Sequence, residues 1–449
     1  MTTTIVSADL PGQRVSELDN KHVFHSWSAQ DLVDALPVST ASGVSFTDYE
    51  GNTYLDFGSQ LVNLNLGHQH PRLVQALQDQ AGKLATIQPA FANDARSELA
   101  RLITETAPGS LNHVFFTNGG ADANEHAVRM ARLHTGRKKV MSQYRSYHGA
   151  TATAISLTGD PRRWPNDPGD PSVVHFFGPY AYRSAFWAGD AEEECERALR
   201  HLEEQIVFEG ASTIAAIIIE TVVGTNGILV PPEGYLPGVR ALCDKYGILY
   251  IADEVMAGFG RTGTMFAVEN FNVEPDLMTF AKGVNSGYVP LGGVVLSDAV
   301  RDTFATTAYP GGLTYSGHPL ACAVGVETFA VFKDEHILER TRQLGNEVVA
   351  PFLAELVEKY ECVGEVRGLG LFWAIELVRD RTTREPLVPF NPNAEENIPM
   401  LQIGAACKAA GLWPMIQQNR IHIAPPLIIS EKDLRRGLAI IEEAISTAC

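Results

Sequence analysis

Four polar residues each stand at or just past the carboxyl end of an apolar run: Asn118, Glu220, Asp253 and Lys282. Such short apolar runs read as buried strands. In open α/β sheets, ligands bind outside the carboxyl ends of the strands. Lys282 follows Leu277-Met-Thr-Phe-Ala281 and is itself followed by glycines at 283, 287, 292 and 293. A lysine partly desolvated at a strand end has a lowered pKa and attacks a carbonyl carbon as the free amine. That is the requirement for covalent attachment to the aldehyde of pyridoxal phosphate (PLP).

PLP makes further demands, and the chain has a candidate for each. Asp253 closes Tyr246-Gly-Ile-Leu-Tyr-Ile-Ala-Asp253 and would hold the pyridinium proton, keeping the ring an electron sink. Val255, short and β-branched, suits packing under the ring. In His113-Val-Phe-Phe-Thr-Asn118-Gly119-Gly120-Ala121 a strand passes through glycines into a helix running to about Arg132. Backbone amides of Gly119, Gly120 and Ala121 at that helix start would cradle the phosphate. Tyr147-His148-Gly149 follows a short strand at Lys139 to Ser142 and supplies an aromatic face. Glu220 ends another buried strand, Thr213 to Glu220. Each residue alone has an ordinary reading: a strand-ending Asp is often only a helix N-cap, and Asn-Gly-Gly alone is a turn. The ordinary reading fails for the whole set in this order and spacing.

With these residues in view, the chain resembles the class III aminotransferases (ω-transaminases) of PLP fold type I from about His22 onward. The resemblance is carried by Asp253-Glu-Val-Met-Ala-Gly-Phe-Gly-Arg-Thr-Gly263, Phe280-Ala-Lys-Gly-Val-Asn-Ser-Gly-Tyr-Val-Pro-Leu-Gly-Gly293, Gly312-Leu-Thr-Tyr-Ser-Gly-His-Pro319, Leu66-Gly-His-Gln-His-Pro71 and Ala424-Pro-Pro-Leu427. It implies an α/β fold: a large domain with a mostly parallel seven-stranded sheet between helices, and a smaller α+β domain built from both termini. It implies that Lys282 bonds the cofactor, Asp253 pairs with its ring nitrogen, and Tyr147 and Val255 cover the two ring faces. Thr314 matches a threonine that reaches the phosphate of the neighbouring subunit, which implies a homodimer, or a dimer of such dimers, with the active site at the interface.

Departures from subgroups of the family narrow the substrate. Ala150 stands where enzymes acting on 4-aminobutyrate carry an arginine, Met256 where they carry a glutamine, and Thr225 where a gating glutamate is expected. These argue against a 4-aminobutyrate or ornithine enzyme. Arg420 matches an arginine that grips a substrate carboxylate in several subgroups, against the alternative of a surface salt bridge. The arginine many amine:pyruvate enzymes use would fall near Met415 and is missing. Trp27, Tyr147, Arg163 and Arg420 are the substrate-binding candidates.

The remaining sequence excludes other classes. A net charge of −18 and a pI near 5.2 make nucleic acid and anionic membranes poor partners. The start, Met1-Thr-Thr-Thr-Ile-Val-Ser, has no basic n-region or apolar h-region, and no apolar run reaches membrane-span length. Six dispersed cysteines without metal spacing read as small core residues of a reduced, cytoplasmic protein. His68 and His70 offer only two local ligands and read as a turn, so no metal is expected.

Along the chain, residues 1 to about 20 read as polar and mobile. Val44 to Phe57 reads as a hairpin turning at Glu50-Gly-Asn52, and Pro71 to Ala85, Asp94 to Thr106 and Glu192 to Ile206 as helices. Strands alternate with helices from His113 to about Leu296. The expected divisions are an N-terminal segment 1–65 joining the small domain, a large PLP domain 66–325 and a C-terminal small domain 326–449. The expected activity is ping-pong transfer of an amino group from an ω-amino acid, a taurine-like sulfonate or a simple amine to a keto acid, pyruvate being favoured. The rivals are a 4-aminobutyrate or other ω-amino acid:2-oxoglutarate aminotransferase, a PLP aminomutase or decarboxylase of the same fold, and a nucleotide-binding dehydrogenase using Gly119-Gly120.

Overall fold

The computed structural model describes residues 11–448. Residues 1–10, where the start was read as leaderless, and Cys449 lie outside that range. A seven-stranded sheet forms the centre. Its spatial order is Leu111–Thr117, Gly292–Ser297, Leu277–Phe280, Leu249–Asp253, Ile214–Glu220, Lys139–Gln143, Val173–Phe176. Gly292–Ser297 is antiparallel to both neighbours, and the other strand pairs are parallel. Ile214–Glu220 and Leu277–Phe280 are buried at every position. Helices on both faces of a parallel sheet leave no side for water, so continuous apolar runs replace alternation.

The helix Gly120–Thr135 packs Ala123, Ala127, Val128 and Ala131 onto this sheet. It ends at Gly136, whose φ of 68° suits a residue without Cβ. The helix expected at Glu192 to Ile206 runs over Ala191–Glu209, with the Asp190 carboxylate accepting the Glu193 N–H at 2.9 Å as N-cap.

Two smaller sheets lie outside the central one. Val363–Leu369, Phe372–Asp380, Arg420–Ile423 and Met415–Gln417 form one antiparallel sheet, which Glu385–Pro386 joins at Phe372–Asp380. Val38–Ser42, Ser45–Asp48 and Thr53–Asp56 form the other, joined in parallel by Leu412–Trp413 from the far end of the chain. The fully buried Arg261 ties these parts together. Its guanidinium donates to the carbonyls of Leu371 and Pro425, to Ser59 Oγ and to Asn65 Oδ1 at 2.6 to 3.2 Å.

Two expectations need correction. Gly12–His22 is a helix, where a mobile polar segment was expected. None of its residues is buried, so no apolar stripe announced it. Cys195, Cys243, Cys322 and Cys407 are free buried thiols, but Cys362, half-buried at a strand entry, is disulfide-bonded. His68 and His70 do not converge: His68 meets Asp56 at 3.2 Å and His70 meets Glu335 at 3.2 Å.

Candidate active site

The sheet brings its strand-end residues together. Glu220 lies directly opposite Asp253 in register, and Asp253 opposite Thr279. Two residues past Phe280, Lys282 sits with a left-handed φ of 43° and opens a short 3-10 turn to Asn285. Among the described residues its ammonium has no hydrogen bond or ion pair. Burial pushes its pKa down to about 8, against the pull of Glu220 and Asp253. The free amine is thus within reach near neutral pH. Lys282 lines a cavity of about 580 Å³ together with Trp27, Tyr147, Arg162, Met256 and Arg420.

Asp253 is buried and fixed from two sides. Its Oδ1 accepts the Val255 N–H at 2.9 Å. Its Oδ2 accepts Asn124 Nδ2–H at 2.8 Å and His148 Nδ1–H at 2.7 Å. Asn124 also donates to the His148 carbonyl and accepts from Thr279 Oγ1, both at 2.8 Å. Glu220 accepts the backbone N–H groups of Tyr147 and Gly224, each at 2.8 Å. Burial holds its pKa above the carboxylate range; His148 opposes this and Asp253 adds to it.

The residues present fit PLP. Among the described residues, the N–H groups of Gly120 and Ala121 at the start of Gly120–Thr135 donate to no protein acceptor, as a phosphate site requires. A Cβ on Gly120 would come within 2.8 and 2.9 Å of the two Val255 methyls, so Val255 and the glycine turn share one wall. Gly119 accepts Thr117 Oγ1–H on its carbonyl at 2.9 Å, which fixes the turn. One face of the Tyr147 ring is covered by the Arg162 guanidinium at 3.7 Å. Lys282, Asp253 and the helix start together offer what the cofactor aldehyde, ring nitrogen and phosphate each need.

The substrate candidates are placed less evenly. Arg420 is 2 % exposed and has no acidic partner among the described residues, so the surface salt-bridge alternative is excluded. Its Nη2 donates to Gln418 Oε1 at 2.9 Å, and burial pushes its pKa down to about 10. Trp27 lines the cavity mouth and is 65 % exposed. Arg163 is a correction: it turns to Asp167 at 3.0 Å and does not line the cavity. Its neighbour Arg162 does line it, braced by Asp160, which Asn226 also contacts at 2.9 Å. The 3-10 turn Pro161–Asn166 rotates successive side chains by a third of a turn, so sequence position alone did not say which arginine faces inward. Thr314 is exposed and is not part of this chain's own cavity. Asn124 was missed; its one available signal was a lone amide on the apolar stripe of its helix.

The fold is that of PLP-dependent enzymes of fold type I. The family model of the class III aminotransferases matches residues 28–445, and the chain belongs to that family, whose members are PLP-dependent aminotransferases. Among solved structures, it is similar to a taurine:2-oxoglutarate aminotransferase from Bifidobacterium kashiwanohense in complex with PLP and glutamate: 43% identity, TM-score 0.95, 98% of each chain covered. An (S)-enantioselective omega-transaminase from Thermomicrobium roseum shares 37% identity at a TM-score of 0.92, with 98% of this chain and 100% of that one covered. Among curated proteins, a putrescine–pyruvate aminotransferase of Pseudomonas aeruginosa is 36% identical over 88% of this chain and 87% of its own length. A probable gamma-aminobutyrate transaminase of Oryza sativa is 33% identical, with 93% of this chain and 86% of that protein covered.

Proposed function

We propose that this aminotransferase takes its amino group from an ω-amino acid, a taurine-like sulfonate or a simple amine and passes it to a 2-oxo acid by ping-pong turnover. The observation that carries this reading is the shared cavity: an amine at Lys282 opens onto the same space as two guanidiniums, Arg162 and Arg420. A carboxylate or sulfonate held there sets the rest of the substrate against Lys282. Met256 and Thr225 line the wall where subgroup enzymes carry a glutamine and a glutamate, so no acid neutralises Arg420 from that side. Pyruvate satisfies the Arg420 contact with its single carboxylate.

PLP supplies the electron sink when bound at Lys282, Asp253 and the Gly119–Ala121 turn. Lys282 Nζ, as the neutral amine, takes the substrate proton and returns it. Asp253 holds a proton on the ring nitrogen, and His148 and Asn124 hold Asp253 in line. Tyr147 and Val255 confine the ring, and Trp27 narrows the entrance to water. Thr314 would serve the phosphate of a second subunit, so the working form is a homodimer, or a dimer of dimers.

The test pairs a donor panel (taurine, β-alanine, putrescine, 4-aminobutyrate, 1-phenylethylamine) with pyruvate and 2-oxoglutarate. Expected is a yellow protein bleached by borohydride, with obligate use of a keto acid and no turnover in Lys282→Ala. Turnover of 4-aminobutyrate with 2-oxoglutarate alone would overturn the donor range. Full activity in Lys282→Ala would overturn the role of Lys282.

A further inference from the structure

Gln418 and Asn419 make the two-residue turn between the strands Met415–Gln417 and Arg420–Ile423. Gln418 takes a left-handed φ of 54° there. Glycine or asparagine holds that backbone region at little cost, whereas a longer side chain strains it. The turn does not depend on Gln418 for its anchorage. Asn419 supplies that: its carbonyl accepts the Leu377 N–H at 2.8 Å and its Nδ2 donates to the Leu377 carbonyl at 2.9 Å. A residue that runs against the turn's preference without anchoring it is placed for what its side chain does.

That side chain reaches Arg420. Gln418 Oε1 accepts from Arg420 Nη2 at 2.9 Å, and among the described residues this is the only hydrogen bond of the guanidinium. A guanidinium only donates, which fixes which way round the amide stands. Arg420 Nε is buried without a partner. Glu376 stands opposite Arg420 in register, but its carboxylate is taken by Arg183 at 2.5 Å, by Arg367 at 2.9 Å and by the Tyr180 hydroxyl. Gln418 and Arg420 both line the cavity. The other guanidinium of that cavity is held by an acid: Asp160 accepts from Arg162 Nε at 3.0 and 3.1 Å. An acid fixes a guanidinium and offsets its charge, whereas an amide fixes it and leaves the charge in place. A glutamate at position 418 would have the same reach and make the stronger bond, so the amide is the choice that spares the charge.

We propose that Gln418 is a positioning residue for substrate binding: its neutral amide holds Arg420 at the cavity wall and leaves the full positive charge there for a substrate anion. The inference rests on the aminotransferase reading and deepens it. Gln418 acts through Arg420, and the strain of its backbone is the cost of placing an amide of that length beside the guanidinium.

The test uses the holoenzyme and propanoate, an unreactive monoanion, titrated by the change in cofactor absorbance and by calorimetry, with denaturant melts alongside. Gln418→Asn keeps an amide that is too short to reach Arg420. It should weaken propanoate about three- to tenfold, while the melt is unchanged or higher because asparagine suits the left-handed turn. Gln418→Glu should weaken propanoate about tenfold or more, although it grips Arg420 harder. In steady state both should raise KM for pyruvate with kcat changed by less than about twofold. In an Arg420→Gln background, Gln418→Asn should weaken propanoate by less than about twofold further, since it has no guanidinium left to hold. A merely structural role predicts another pattern: a lower melt for Gln418→Asn and native binding for Gln418→Glu. Propanoate held by Gln418→Glu as tightly as by the native protein would overturn the proposal, as would a Gln418→Asn effect that persists undiminished without Arg420. Should Gln418→Glu fail to fold, Gln418→Asn with and without Arg420 decides the same point. A failed aminotransferase reading looks different: the native chain turns over no pair of donor and keto acid.

Discussion

Replacing Asn124 by Ala removes three buried hydrogen bonds from the residue that braces Asp253. One goes to a charged acceptor, Asp253 Oδ2, at 2.8 Å; the others join the His148 carbonyl and the Thr279 hydroxyl, also at 2.8 Å. A hydrogen bond to a charged group contributes about 2 kcal/mol and a neutral one about 1, so the protein should lose up to about 4 kcal/mol of stability, less where water enters the gap. Only the bond to Asp253 bears on the cofactor. Its loss of about 2 kcal/mol corresponds to roughly thirtyfold weaker PLP binding. Asn124→Asp should be worse, because two carboxylates then share one buried site and repel unless one takes up a proton. The assay is PLP titration of the cofactor-stripped protein, followed by visible absorbance, beside a denaturant melt of both variants. PLP affinity within twofold of the native value for Asn124→Ala, or tighter binding for Asn124→Asp, would refute the bracing role.

Three further outcomes follow from the same geometry. In the cofactor-free protein, Lys282 has a folded pKa of about 8, below its ordinary 10.5, so the unfolded chain binds the extra proton between these values and stability rises with pH across that window. Lys282→Met should therefore stabilise the cofactor-free protein by up to about 3 kcal/mol at pH 7, a gain that shrinks from pH 8 to 10.5 in denaturant melts compared with the native chain. Gly120→Ala places a methyl against Val255 at 2.8 to 2.9 Å and should cost about 1–3 kcal/mol in overpacking, read as PLP affinity about tenfold or more lower. Arg162→Gln should raise KM for an anionic substrate about tenfold while Arg163→Gln leaves it unchanged, since only Arg162 lines the cavity.

The sequence showed the central sheet because its strands are covered on both faces and read as unbroken apolar runs. It showed Lys282, Asp253 and Glu220 because a polar residue at the end of such a run stands out. Asp253 and Glu254 show where this stops. They are adjacent acids, but Glu254 turns away to accept the N–H groups of Ala267 and Val268 at 2.8 and 2.9 Å. The identity of the residue before them in the strand does not say which acid serves the site. Arg162 and Asn124 were hidden for a related reason: their roles depend on side-chain direction within a 3-10 turn and on a contact across two strands. The ion-pair cluster of Arg183 and Arg367 on Glu376 was invisible because its members lie far apart in sequence and meet only after folding.

During synthesis, the strand Thr53–Asp56 leaves the ribosome roughly 360 residues ahead of Leu412–Trp413, the parallel neighbour that Leu55 and Asp56 finally meet. At about 5–20 residues per second, that edge stands open for about 20–70 seconds. An unpaired strand edge invites pairing with another nascent chain. The yield of native protein should therefore depend on how fast the roughly 360 intervening residues are translated and on chaperones that shelter the early hairpin.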